Sequence, residues 1–245
     1  MSTGIWSAAS GATGQSFALD VSANNIANAT TPGFKADRAV FRQELSRAVQ
    51  SLGSRSMRYS VVRSTAPNLE VGNIVRTARP MDVALRDPES VLVVSTPQGE
   101  RYTRAGSVQI QSNGNLVTRE GYAFLGPDKK PLRVATDGAR VEIGRDGSIN
   151  VDGIASGSRL LTLKFPPGTL DKDGNVLLKA RPGAPPPVPV DADLEPEALE
   201  MSNASPVTSM TSLVTASRQF EMLTKVIEAF SSVDHKAATD LMSRR

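Results

Sequence analysis

The chain has 245 residues, 39% of them apolar and 4% aromatic, with 28 basic and 25 acidic side chains and a formal charge of +3 at pH 7. With 19 glycines added, this apolar content is close to that of globular proteins and excludes wholesale disorder. The small, unclustered positive charge and the scarcity of aromatic rings argue against nucleic-acid binding. The sequence contains no cysteine, which excludes disulfides, cysteine-ligated zinc and thiol nucleophiles.

The first 35 residues predict a helix that packs against neighbours on several sides. Ala, Ser, Gly, Thr and Asn fill 23 of the first 34 positions, where Asp20 is the one charged side chain. An apolar stripe recurs every seven residues, as in the seam of a packed α-helix, and consists of Ile5, Ala12, Leu19 and Ile26. An ordinary amphipathic helix at the edge of a globular core is the alternative. Thr31-Pro32-Gly33 predicts the end of this segment.

No stretch of the sequence predicts a membrane helix or a secretory signal. The longest strongly apolar run, Val91 to Val94, is much shorter than the roughly 18 residues that span a bilayer. The N-terminal residues lack the basic start and the continuous apolar core of a signal peptide. We expect no membrane insertion, and any export to proceed without cleavage of a signal peptide.

Residues 36–68 predict a second helix and a connecting linker. The helix is charged and is expected over about Ala36 to Val49. The stretch from Ser51 to Ser64 is rich in Ser and Arg without a clear period, which is typical of a linker or loose loop.

Residues 69–181 predict an antiparallel, β-rich domain. Short apolar or alternating runs mark its strands at Asp82–Leu85, Val91–Val94, Ser107–Gln111, Leu116–Val117, Val141–Ile143, Leu160–Phe165 and Val176–Leu178. Hairpin turns are predicted at Asn113-Gly114, Asp137-Gly138, Asp146-Gly147 and Asp173-Gly174. Residues 182–204 form a return segment, in which Pro182 to Pro189 predicts a stiff extended strap without regular structure.

Residues 205–245 predict a second heptad helix, with Ser205 as its N-cap and Pro206 in its first turn. Two apolar registers repeat every seven residues: Leu213, Phe220, Ile227 and Leu241, with Asp234 as the polar break, and Ala216, Leu223, Phe230 and Ala237. The predicted fold is therefore α+β, with N- and C-terminal helices that pair as a coiled coil and a central antiparallel β-rich domain between them in the sequence. The helix surface left over favours a further copy of this pair, or a relative, as partner.

The sequence predicts no catalytic, cofactor-binding or metal-binding residues. The one histidine, His235, lies in the charged part of the last helix, where an exposed position is expected. The segment Asp171 to Asn175 resembles a calcium loop but has its glycine too early and Pro182 in place of the twelfth-position glutamate. Asp191 and Asp193 lie in a flexible stretch, which is a poor frame for an acid and base pair.

Three functions of other classes fit the sequence less well. A secreted glycan-cleaving enzyme requires a rigid carboxylate pair, and a nucleic-acid binder requires clustered basic groups; the sequence has neither. An adaptor or chaperone built on a coiled coil fits the helices but does not account for the β-rich domain between them. We therefore expect a structural protein and not an enzyme.

Several motifs resemble those of bacterial flagellar rod and hook proteins. The run from Ser22 to Lys35 contains Ala-Asn-Asn-Ile-Ala-Asn followed by Thr-Pro-Gly-Phe, which is similar to the N-terminal signature of that family. Further similarity, in the family's order, is found at Arg79–Leu85, Tyr102–Ser107, Gly114–Thr118, Leu199–Asn203 and Ala216–Met222. The chain length and the Arg-x-Phe-Glu-Met form of the last motif are most similar to the proximal rod branch, with the distal rod branch as the alternative.

The resemblance implies a structural subunit of the flagellar rod that polymerises axially through its terminal helices and transmits motor torque to the hook. Its implied partners are other rod proteins, copies of itself and the flagellar type III export apparatus. Its implied location is the periplasmic rod of the basal body, and no cofactor is implied. The heptads and the motif together predict this assembly interface: Ile5, Ala12, Leu19, Asn24, Asn25, Ile26, Asn28, Pro32, Gly33, Phe34, Leu213, Ala216, Phe220, Leu223, Ile227, Phe230 and Leu241.

Overall fold

The structure is a computed structural model that describes residues 3–45, 58–134 and 139–243. Within these ranges the chain forms helices α1 (Thr3–Ala27) and α2 (Pro206–Ser243) and eighteen strands between them. The strands are β1 (Asp37–Leu45), β2 (Arg58–Pro67), β3 (Ile74–Arg76), β4 (Val83–Leu85), β5 (Ser90–Thr96), β6 (Gly99–Thr103), β7 (Gln109–Ile110), β8 (Leu116–Val117), β9 (Ala123–Phe124), β10 (Val141–Ile143), β11 (Ser148–Val151), β12 (Ile154–Arg159), β13 (Thr162–Lys164), β14 (Leu170–Lys172), β15 (Leu177–Ala180), β16 (Val188–Pro189), β17 (Leu194–Pro196) and β18 (Ala198–Glu200). No helix in the described ranges is long and apolar enough to cross a membrane.

The chain divides into two compact units. The helical unit comprises residues 1–26, 37–65 and 206–245, and the β unit comprises residues 27–36 and 66–205. Both units are therefore discontinuous in sequence, and the β unit includes the ten residues that follow the body of α1. The α+β composition with a central antiparallel region is confirmed.

The two terminal helices are confirmed close to their predicted ends. α1 stops at Ala27, and a turn follows in which the backbone N–H of Thr31 donates to the carbonyl oxygen of Asn28 at 3.1 Å. Pro32 and Gly33, the latter with φ of +74°, complete this change of direction. α2 begins at Pro206 as predicted.

The helix predicted over Ala36 to Val49 is wrong for the part that the structure describes. Asp37–Leu45 is strand β1, and it pairs with β2 in a two-stranded sheet. The predicted linker is wrong from residue 58 onward for the same reason, because that stretch is β2. Local propensity is weak in both segments, so pairing between them decides the structure. Residues 46–57, which carry the remainder of both predictions, lie outside the described ranges.

The β unit is built on one large antiparallel sheet. Its strand order is β14-β15-β6-β5-β9-β8-β7, with β13 pairing on β5. Three of the predicted hairpin turns are confirmed, each between two antiparallel strands and each with a glycine at positive φ: Gly114, Gly147 and Gly174. The turn predicted at Asp137-Gly138 lies outside the described residues.

Strand β5 lies at the centre of the β unit and supplies both sides of its core. Leu92 and Val94 belong to one apolar cluster with Phe124 and Ile149, whereas Val91 belongs to a second. The second cluster also contains Val93, Tyr102 and Phe165. Alternation along a strand sends successive side chains to opposite faces, so a continuous apolar run is required when both faces are covered.

The return segment contributes three strands to the β unit. β17 pairs with β4, and β18 pairs with β3. The expectation that Pro182 to Pro189 has no regular structure is wrong at its end, because Val188 and Pro189 form β16 opposite β13. A proline is accepted there because β16 pairs on one side only and loses no ladder hydrogen bond on its outer side.

Candidate assembly surface

Where α1 and α2 touch, glycines on α1 face large side chains on α2. A β-carbon placed on Gly4 would lie 2.8 Å from Cζ of Phe230, and one on Gly11 would lie 3.3 Å from Cδ1 of Leu223. Seven residues forward on α1 therefore correspond to seven residues backward on α2, so the contacting helices run antiparallel. Glycine at these positions lets the α1 backbone approach the side chains of α2 closely.

The predicted heptad residues of the helices are covered to different degrees by the chain itself. Ala12 and Ala216 are buried. The half-buried members are Ile5, Leu19, Ile26, Leu213, Leu223 and Ile227. Phe220 and Phe230 are exposed at their edges, and Leu241 lies near the end of α2. Within the two heptad stripes, the alanines are therefore buried, whereas the phenylalanines remain partly exposed to solvent.

α2 also carries large apolar side chains that its own chain leaves exposed. Val207, Met210 and Val214 form a stripe on its first two turns at spacings of three and four residues, and Val207 is 72% exposed. Met222 and Val233 extend the exposed apolar surface along the helix. Apolar surface of this extent on one element is typical of a protein-protein contact and not of a solvated helix.

α1 presents one exposed stripe. It contains Trp6, Thr13, Asp20 and Ala27, which recur every seven residues, and Trp6 is 57% exposed. A largely exposed indole ring is well suited to anchor a protein-protein contact.

Asn24 and Asn25 of the signature motif bind the start of β1. The Asn25 amide donates to the carbonyl oxygen of Asp37 at 2.9 Å and accepts from the N–H of Asp37 at 2.8 Å. The Asn24 amide donates to the Asp37 carboxylate at 3.2 Å. An asparagine side chain offers the donor and the acceptor that both backbone groups of one residue require. These two predicted interface residues thus fix the chain where it returns to the helical unit.

The rest of the motif forms the turn that enters the β unit. The hydroxyl of Thr31 donates to the side-chain oxygen of Asn28 at 3.4 Å, and the N–H of Gly33 donates to the carbonyl oxygen of Glu200 at 2.8 Å. Phe34 is fully buried, and the Lys172 ammonium lies 3.7 Å from the centre of its ring. Gly33 and Phe34, predicted as interface residues, are therefore covered by the β unit itself, whereas Pro32 is half-buried.

A buried ion cluster joins three distant parts of the β unit. The Lys35 ammonium lies 2.5 Å from one carboxylate oxygen of Glu200, and Nε of Arg104 lies 2.8 Å from the other. All three side chains are at most 2% exposed. Two cations therefore share one carboxylate in this cluster of three side chains. Burial lowers the pKa of Lys35 from 10.5 to about 8, since the attraction of Glu200 offsets only part of the desolvation and Arg104 adds repulsion.

The remaining donors of the cluster are satisfied by the backbone. The Arg104 guanidinium donates to the carbonyl oxygens of Leu85, Asp87, Pro88 and Ser90 at distances from 2.6 to 3.2 Å. Lys35 also donates to the carbonyl oxygen of Glu70, and the N–H of Gly72 donates to Glu200 at 2.8 Å. The carbonyl oxygens stabilise the cations locally, and the carboxylate that contacts both cations is that of Glu200.

Asn203 links the segment that precedes α2 to the segments around Ala36 and Asn68. Its side-chain oxygen accepts from the N–H of Ala36 at 2.7 Å, and its amide donates to the carbonyl oxygens of Asn68 and Glu70 at 2.8 and 2.9 Å. Lys35, Arg104, Glu200 and Asn203 lie inside the motifs described above, which by themselves predict no role for them. The signal that could have found them is a charged or amide side chain within a run of small and apolar residues.

The acidic and histidine side chains considered in the sequence as catalytic candidates lie in exposed positions. His235 is exposed on α2, and Asp191 is almost fully exposed and within 3.4 Å of a guanidinium nitrogen of Arg159. Among the described residues, no three His, Asp or Glu side chains lie close enough to hold a metal ion.

Comparison with known proteins decides the family. The family model described as "Flagella basal body rod protein" matches residues 5–35. The model described as "Flagellar hook protein FlgE/F/G D1 domain" matches residues 89–151, and that described as "Flagellar basal body rod FlgEFG protein C-terminal" matches residues 195–240. The flagellar basal-body rod protein FlgF of Escherichia coli (strain K12) is 33% identical over 240 residues, which cover 91% of each chain. The chain belongs to the flagellar basal-body rod protein family.

Two further relatives place it within this rod protein family. FlgF of Caulobacter vibrioides is 30% identical over 224 residues, with 91% of each chain covered. FlgG of Bacillus subtilis is 30% identical over 241 residues, with 85% of this chain and 88% of the relative covered. FlgF is favoured over FlgG. Each of the three matched segments contributes one member of the ion cluster: Lys35 the first, Arg104 the second and Glu200 the third.

Proposed function

We propose that this chain is a structural subunit of the flagellar rod that polymerises axially through its terminal helices and transmits motor torque to the hook. Membership of the rod family and the exposed apolar surface of α2 support the proposal together. The observation that carries the assembly role is the stripe of Val207, Met210 and Val214, because the chain's own residues leave it in solvent. Covering such a stripe stabilises association by roughly 25 cal/mol for each Å² removed from water.

The two helices act in this proposal as an antiparallel coiled coil. The contacts of Gly4 with Phe230 and of Gly11 with Leu223 support a seven-residue match between them. Trp6 and the exposed edges of Phe220 and Phe230 then meet neighbouring subunits. Asn24 and Asn25 serve the interface indirectly, by fixing the start of β1 against α1, and Asn28 and Gly33 do so by fixing the turn that follows α1.

The proposed partners are copies of this chain, other rod proteins and the flagellar type III export apparatus. The proposed location is the periplasmic rod of the basal body, reached without a cleaved signal peptide, and no enzymatic activity or cofactor is part of the role. A place in the proximal rod follows from the preference for FlgF. A distal rod or hook-family axial position is the alternative, which the similarity to FlgG supports.

Complementation of a strain that lacks its own copy of this gene tests the proposal. The double variant M210K/V214K puts two charges on the exposed stripe and is expected to abolish rod assembly and swimming. Ile154→Lys is the control, because Ile154 is an apolar residue of the β unit that is even more exposed than Met210 and Val214, and the change there is expected to leave swimming intact. Normal rods with M210K/V214K would contradict the proposed assembly surface.

A further inference from the structure

The ion cluster of Lys35, Arg104 and Glu200 makes the β unit depend on its last segment. Glu200 lies 165 residues after Lys35 and 96 residues after Arg104. Contacts between residues so far apart require the closure of long loops, whose entropic cost must be met before the contact stabilises the fold. The anion of the cluster therefore joins the unit only when the return segment packs against β3 and β4.

Without Glu200, the two buried cations lose the one carboxylate that contacts both of them. Arg104 is enclosed by carbonyl oxygens from residues 85–90, and Lys35 is enclosed beside Glu70. Both cations are at most 2% exposed, so neither reaches solvent in the native packing. Leaving one partner of a buried pair unmatched is strongly destabilising, and here a single carboxylate serves two cations.

We infer that Glu200 is the closing element of the β unit, so that the central sheet reaches its native packing only when the return segment has delivered this carboxylate to Lys35 and Arg104. Two further hydrogen bonds join the return segment to residues 33–36. The N–H of Gly33 donates to the carbonyl oxygen of Glu200, and the N–H of Ala36 donates to the side-chain oxygen of Asn203. The inference concerns the folding of this chain and does not depend on the proposed rod role.

Hydrogen exchange of the full-length chain, followed by mass spectrometry at low urea concentration, tests the inference. Glu200→Gln is expected to raise exchange about 100-fold or more, and equally, in the return segment (194–204) and in the central strands β5, β6 and β9. Glu195→Gln is the matched control, because Glu195 lies in the same segment but pairs with Arg86 and Arg76, whose side chains are partly exposed. It is expected to change exchange by no more than about threefold. Fast exchange confined to 194–204 in E200Q, with the central strands unchanged, would overturn the inference.

Variants of Lys35 keep the test decisive if E200Q does not fold. Lys35→Met leaves the balanced pair of Arg104 and Glu200 and is expected to be much less destabilised than E200Q. The double variant K35M/E200Q, which buries one unmatched cation and not two, is expected to recover part of the protection lost in E200Q. A double variant no better protected than E200Q would show that hydrogen bonding and packing, not charge balance, close the unit.

Discussion

Nε of Arg104 lies 2.8 Å from the carboxylate of Glu200 although 96 residues separate the two in the sequence, and neither side chain is exposed. Lys35 binds the other oxygen of the same carboxylate. The cluster therefore joins the segment that follows α1, the central sheet and the segment that precedes α2.

The buried ammonium of Lys35 predicts a stability that rises with pH in the alkaline range. Its pKa is about 8 in the folded chain against 10.5 when solvated, so the unfolded chain binds more protons between these values. The cost of burying the charged form is full below pH 8 and disappears as the pH approaches 10.5. The free energy of unfolding of the wild type, measured by urea titration, is therefore expected to rise relative to that of Lys35→Met over this window. A difference between the two proteins that stays constant or falls would contradict the burial of a charged Lys35.

Replacement of Gly33 by any larger residue is expected to cause a steric clash with Ala105. A β-carbon there would lie 2.4 Å from both Cα and N of Ala105, and the backbone φ is +74°. Gly168 is the matched control, because its φ is +77° and no atom lies within 4 Å of its β-carbon position. We expect Gly168→Ala to cost about 1–2 kcal/mol of unfolding free energy and Gly33→Ala about 3 kcal/mol or more. Equal losses in urea titrations of the two variants would remove the contact with Ala105 as the reason for this glycine.

Substitution of Asn25 is expected to destabilise the helical unit locally. Asn25→Ala removes both partners of the Asp37 backbone groups and is expected to cost about 1–3 kcal/mol. Thr13→Ala changes an exposed residue of the same helix and is expected to be neutral or slightly stabilising, since alanine favours helix. Hydrogen exchange of α1 amides measures both. If the two variants exchange alike, Asn25 does not anchor β1.

Much of this fold follows from patterns within short windows of sequence. The heptad of Leu213, Phe220 and Ile227 is visible because a helix contact repeats every seven residues, and α2 spans it. The apolar run Val91 to Val94 gives β5 because both faces of that strand are covered. Turn glycines such as Gly114 are visible because their positive φ restricts the residue type.

The remainder depends on partners that local patterns do not contain. β1 and β2 look like a charged helix and a linker because only their pairing makes them strands. The roles of Lys35 and Glu200 depend on a contact across 165 residues, and charged side chains inside motifs carry no sign of their partners. The prediction that Phe34 is an interface residue rests on equally local information. An aromatic residue in a motif is equally suited to a core or to a subunit contact, and Phe34 is buried within the chain.

A charge at Leu223 is expected to disrupt the contact between α1 and α2 while the β unit stays folded. Leu223→Asp places a carboxylate against Gly11 of α1 and is expected to prevent incorporation into rods, since an unpaired charge in a helix seam is strongly unfavourable. Gln219→Asp adds the same charge at an exposed position one turn earlier on α2 and is expected to be incorporated. Electron microscopy of basal bodies gives the readout, and hydrogen exchange of β5 checks that the β unit of the variant is folded. Rods that contain L223D at wild-type levels would contradict the assigned seam.

Thiol labelling tests the central claim, that the terminal helices are covered by neighbouring subunits, most directly. The chain contains no cysteine, so Asp20→Cys on the exposed stripe of α1 and Asn113→Cys on an exposed turn of the β unit each provide a single reactive thiol. Labelling rates are compared between the isolated subunit and purified basal bodies. The account predicts that assembly slows labelling at position 20 by about tenfold or more relative to position 113. Equal labelling of the two positions in basal bodies would contradict it.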